Sequence, residues 1–112
     1  MVVPLHKAKA ELFRTLGHPV RVRALELLLE GPRPVHEMLA IIGIESSSLS
    51  HQLSVLRRAG IVTTEREGSS VVYTLATPEV ADLMKDARRI LTTVLTEQEG
   101  LLADLRAETA TN

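Results

Sequence analysis

Residues 35–59 read VHEMLAIIGIESSSLSHQLSVLRRA, and the fold is decided there. Val35, Met38, Leu39 and Ile42 recur at helical spacing and predict a helix of about two turns that stops at Gly43. After the turn Gly43-Ile44-Glu45, a second helix opens on Ser46, Ser47 and Ser48. At about 100° per residue, Leu49, Leu53 and Leu56 gather on one side of it, with Ser47, His51, Ser54 and Arg58 on the other. One face is therefore core, and the other is polar but mostly uncharged. Two helices joined by a three-residue turn, the second presenting such a face, have the layout of a helix-turn-helix.

Toward the C-terminus, Gly60 ends the second helix. Ile61–Glu67 and Ser70–Leu75 are rich in Val, Ile, Thr and Tyr, and they flank Gly68-Ser69, which predicts a two-stranded hairpin over about 61–76. From Pro78, the residues Val80, Leu83, Met84, Ala87, Ile90, Leu91, Val94 and Leu95 keep a helical stripe. Leu101, Leu102 and Leu105 resume it, so 78–108 is expected to be one helix, or two divided at Gly100.

Toward the N-terminus, Ala8, Leu12, Phe13 and Leu16 predict a helix over His6–Leu16, stopped by Gly17. His18-Pro19 starts the next, and Val22, Leu25, Leu28 and Leu29 carry its stripe to Gly31. Pro32-Arg33-Pro34 forces an extended connection. The expected fold is mainly α with a small β-hairpin, a single winged helix-turn-helix domain over 1–112. In such a fold the second helix, over 46–58 here, can lie in a major groove, whose width admits an α-helix, while the hairpin reaches flanking backbone.

Composition narrows the function classes. A chain of 112 residues is one small domain, and 45% hydrophobic residues supply a modest core that self-association would enlarge. The absence of cysteine excludes disulfides, thiolate metal sites and thiol redox sensing. No apolar run is long enough to cross a bilayer and no signal-peptide pattern opens the sequence, so a cytoplasmic protein without membrane contact is expected. The net charge of −1 hides a gradient: residues 1–43 sum to +2, residues 44–77 to 0 and residues 78–112 to −3. A nucleic-acid binder would turn the first two thirds toward phosphate.

The segments LGHPVRVRALELL (16–28), GIESSSLSHQLSVLRRAGIV (43–62) and REGSSVVYTL (66–75) resemble the ArsR/SmtB winged-helix transcriptional regulators, over about residues 10–77. The resemblance implies a homodimer on a pseudo-palindromic operator in double-stranded DNA, usually a repressor released by an effector. It places Ser46, Ser47, Ser50 and His51, with Gln52 nearby, at base edges. Hydroxyls and an amide can donate or accept there, although serines that merely cap and solubilise a helix are the competing reading. Ser54 and Ser69 stand where the family commonly carries Lys and Arg, which removes phosphate contacts. Arg57, Arg58 and Arg66 remain to make them, with Arg21 and Arg23 in support. For the dimer, Leu12 and Phe13 near the N-terminus and Leu83, Ala87, Ile90, Leu91 and Val94 near the C-terminus are the expected interface.

Metal-sensing members of this family commonly carry a Cys-x-Cys motif that aligns here with Pro34 and His36, or His-containing sets on the last helix, where this chain has Met84 and Arg88. His6, His36, Asp82 and Asp86 are left as candidate ligands, and a site of that composition would suit nickel or zinc. The ordinary alternative is a terminal His6 and a surface His36, and no high-affinity metal site is expected. A small effector or a partner protein is then the remaining signal.

An enzyme is not expected. Ser47 and His51 lie one turn apart without a third group, and no phosphate loop, carboxylate pair or cofactor fingerprint is present. The rival reading is a winged-helix protein-interaction module, or a co-regulator whose sensing is supplied by a partner protein.

Overall fold

The computed structural model describes residues 2–111. In order, the elements are α1 (Leu5–Leu16), α2 (Pro19–Leu28), β1 (Arg33–Pro34), α3 (Val35–Ile42), α4 (Ser46–Arg58), β2 (Val62–Glu67), β3 (Ser70–Leu75) and α5 (Pro78–Thr111). Two compact units result, the first ending at Ala81 and the second starting at Asp82.

The core of the first unit is aliphatic. Leu25, Met38, Leu49, Leu53, Leu56 and Val62 are almost wholly enclosed, drawn from α2, α3, α4 and β2. Each such side chain contributes about 1.5–3 kcal/mol when taken out of water, so this cluster holds α3 and α4 at their mutual angle. The connection between them works because Gly43, at φ 73°, takes the left-handed conformation that closes α3, with its N–H bonded to the Leu39 carbonyl.

Strand order in the sheet is β1-β3-β2, antiparallel throughout. The expected two-stranded ribbon is thus corrected to three strands. Arg33 pairs with Tyr73 and Pro34 with Val72, so the extended link forced by the prolines becomes an edge strand. A two-residue strand leaves no alternating pattern to read, and Pro34, lacking an N–H, is tolerated only at an edge. Arg33 fixes the link further: its Nε donates to the Leu27 carbonyl at 3.1 Å, and its guanidinium pairs with Glu30 and, at 3.8 Å, with Glu37. In the hairpin, Glu67 pairs with Ser70 around Gly68, whose φ of 62° makes the tight reversal.

Beyond Ala81 the chain is helix alone. The whole of α5 has 34 residues, roughly 51 Å at the usual rise. Gly100 does not divide it. The leucines, alanines and glutamates on both sides outweigh the ~1 kcal/mol that an interior glycine costs. Ile90, Leu91, Val94 and Leu95 are exposed along this helix, as are Leu101, Leu102 and Leu105. No helix among the described residues is long and apolar enough to cross a membrane.

Candidate nucleic-acid interface

Helix α4 divides by face as its leucines require. Leu49, Leu53 and Leu56 are at most 1% exposed, which turns Ser47, His51 and Arg58 fully outward and leaves Ser54 half-buried. Ser46 and Ser50 are also exposed, on a neighbouring arc. The N-terminus of α4 is chemically open: Glu45, the residue before it, makes no side-chain hydrogen bond to the first turn, and no acidic side chain lies within that turn. The first backbone N–H groups therefore point outward without a capping partner and carry the positive end of the helix dipole. Such an end receives phosphate oxygens readily.

Positive charge sits at the other end and on the hairpin. Arg57 and Arg58 occupy the last turn of α4, exposed, and neither is engaged in an ion pair among the described residues. Arg66, exposed on β2, likewise has no carboxylate within 4 Å among the described residues. Its neighbours Glu65 and Glu67 fall on the opposite side of the ribbon because side chains alternate along a strand. Ser69 is exposed at the tip. Of the two supporting arginines, Arg23 faces Glu26 at 3.9 Å, whereas Arg21 is half-buried.

Gln52 differs from the other candidates on α4. It is half-buried: its Oε1 accepts from Arg21 Nε at 2.8 Å, and its Nε2 lies 3.4 Å from His18 Nε2. His18 is also the residue that starts α2, its Nδ1 accepting from the Val20 N–H at 3.1 Å. Sequence reasoning placed Gln52 beside His51 and passed over this link to α2. A signal was present: at ~100° per residue Gln52 lies about 60° from Leu49 and about 100° from His51, at the margin of the buried face.

The remaining candidates are spread over several elements. On α1, Leu12 is half-buried and Phe13 is 59% exposed; on α5, Leu83 and Ala87 are half-buried while Ile90, Leu91 and Val94 are exposed. A groove of about 560 Å³ runs along α1, walled by Val3, Ala8 and Leu12 on one side and by Ala59 and Ile61 on the other. His6 on α1 and His36 on α3 are exposed, as are Asp82 and Asp86 on α5, and Asp86 faces Arg89 at 3.5 Å. Among the described residues no three His, Asp or Glu side chains come together as a metal would require, so these residues do not fit a metal centre within one chain.

A short helix, a turn, an outward polar helix with an open N-terminus and an adjoining hairpin define a winged helix-turn-helix DNA-binding protein. Residues 18–64 match the family described as "Bacterial regulatory protein, arsR family". Rv0081 of Mycobacterium tuberculosis, an uncharacterized HTH-type transcriptional regulator, is 51% identical over 105 residues, 93% of this chain and 92% of that one. Its crystal structure superposes with a TM-score of 0.80 at 50% identity, over 87% of this chain and 98% of that one. The transcriptional repressor BigR from Xylella fastidiosa gives a TM-score of 0.71 at 39% identity, over 76% and 87%. A homodimeric winged helix-turn-helix DNA-binding domain from Mycobacterium bovis, Mb0332, gives 0.76 at 27% identity, over 83% and 86%. The chain belongs to the ArsR family, and it is a DNA-binding transcriptional regulator rather than an enzyme.

Proposed function

We propose that the protein is a cytoplasmic homodimeric repressor that inserts α4 of each protomer into successive major grooves of a pseudo-palindromic operator. The observation that carries this reading is the outward face of α4, polar and free of acid from Ser46 to Arg58, with an uncapped N-terminus at one end and, at the other, two arginines that pair with no carboxylate among the described residues. Ser46, Ser47, Ser50 and His51 meet base edges, Ser54 and Ser69 approach the backbone, and Arg57, Arg58 and Arg66 neutralise phosphates. Dimerisation follows from the exposed apolar row Ile90, Leu91 and Val94, too large a surface for a small monomer to leave wet, and from the groove along α1. Mb0332, homodimeric in solution, supports the same assembly. The signal that releases the operator is assigned to a small effector or a partner protein.

Footprinting on the DNA upstream of the protein's own gene tests the reading. Two protected half-sites about 34 Å apart, centre to centre, are expected of a dimer. Absence of any protected site, with tight binding to a protein instead, would support the interaction-module alternative.

A further inference from the structure

We infer that Arg21 is a positioning residue for operator reading and that Gln52 is the handle by which it holds α4, not a reader of bases. This rests on the proposed DNA-reading role of α4. Arg21, on α2, donates from Nε to Gln52 Oε1 at 2.8 Å and from Nη1 to the Thr15 carbonyl at 2.8 Å. Thr15 lies in the last turn of α1, where carbonyls lack partners within their own helix. One planar guanidinium therefore ties α1, α2 and α4 together, with no carboxylate paired to it among the described residues. Lysine could not reproduce two such bonds in fixed directions.

Gln52 has few groups left to offer DNA. Its carbonyl is taken by Arg21, and its amide faces His18 Nε2. His18 Nδ1 accepts the Val20 N–H, which leaves Nε2 as an N–H that faces the Gln52 amide without bonding to it, so the bond that turns Gln52 toward α2 is the one from Arg21. The adenine contact open to a glutamine needs its carbonyl and amide together at a base edge, which would require abandoning Arg21. The network also crosses the chain at long range, 31 residues from Arg21 to Gln52, so it constrains the roll of α4 rather than its local winding. A rotation of α4 would redirect Ser47, His51 and Arg58 together while leaving Arg66, on β2, in place.

The test measures affinity for a duplex selected by the wild-type protein from a randomised pool, and for a scrambled duplex of the same composition. Arg21→Ala, Gln52→Ala, the double variant and Gln52→Glu are compared, with circular dichroism to follow folding. Each alanine variant is expected to lower the selected-to-scrambled ratio about tenfold, the order supplied by a hydrogen bond to a charged group. The double variant is expected to lose no more than the worse single, since both remove one link. Gln52→Glu keeps the guanidinium partner. Its added charge weakens both duplexes alike, so the ratio is expected to stay within about threefold of wild type. Losses that multiply in the double variant, or a Gln52→Glu protein that selects a different base, would overturn the inference by making Gln52 a reader. An unaltered ratio in Gln52→Ala would overturn it too. Should Arg21→Ala lose its helicity, Gln52→Glu decides between handle and reader alone. A wild type that cannot distinguish the two duplexes overturns the DNA-reading role beneath the inference, and the inference with it.

Discussion

Replacing Arg66 by alanine isolates the electrostatic share of DNA binding. Arg57, Arg58 and Arg66 are exposed and pair with no carboxylate among the described residues, so a homodimer presents six such cations to the duplex. If each neutralises one phosphate, log K should fall against log salt with a slope of about −5.4, and Arg66→Ala, lost from both protomers, should flatten it to about −3.6. From 50 to 200 mM salt the wild type then loses about 2,000-fold in affinity and the variant only about 150-fold. Because Arg66 sits on β2, outside the core, thermal stability should not move. Fluorescence anisotropy with a labelled selected duplex at four salt concentrations gives both slopes. Equal slopes would refute the assignment of Arg66 to phosphate, whatever the change in affinity at one salt.

Three further outcomes are expected. His51→Ala should lower discrimination between selected and scrambled duplexes by about tenfold, with little effect on the scrambled one, as loss of one base contact costs ~1–3 kcal/mol; an unchanged ratio removes His51 from base reading. Leu91→Glu places a charge in the exposed apolar row of α5 and should give a monomer by sedimentation together with weakened operator binding, while a dimer of unchanged mass contradicts the interface. Leu53→Ala, at a position with no exposure, should lower the unfolding free energy by about 2–5 kcal/mol in urea, and a smaller shift would mean that the core refills around it.

The helix-turn-helix was legible because Leu49, Leu53 and Leu56 fall at helical spacing within α4, and Gly43 and Gly60 lie on either side of it. The hairpin was legible for a similar reason, since Gly68-Ser69 names its own turn. Strand β1 was not, because two residues carry no periodicity and its partners Val72 and Tyr73 lie almost forty positions away. The inward hold on Gln52 escaped for the same cause. Its partner Arg21 and its neighbour His18 are distant in sequence, and a single glutamine on a polar face looks like its neighbours until α2 is placed beside it. The apolar row of α5 was legible as a stripe, and the structure leaves Ile90, Leu91, Val94 and Leu95 exposed along it.

The short pairing of Arg33 and Pro34 with β3 has a mechanical consequence. Val35, the first residue of α3, follows Pro34 directly, so the hairpin and the helix-turn-helix share a hydrogen-bonded seam and behave as the two arms of a caliper with a set opening. A duplex whose groove spacing does not match that opening cannot be met by swinging the hairpin alone. The deformation falls on the DNA, whose stiffness depends on its sequence, and base steps that no side chain touches then enter the protein's preference.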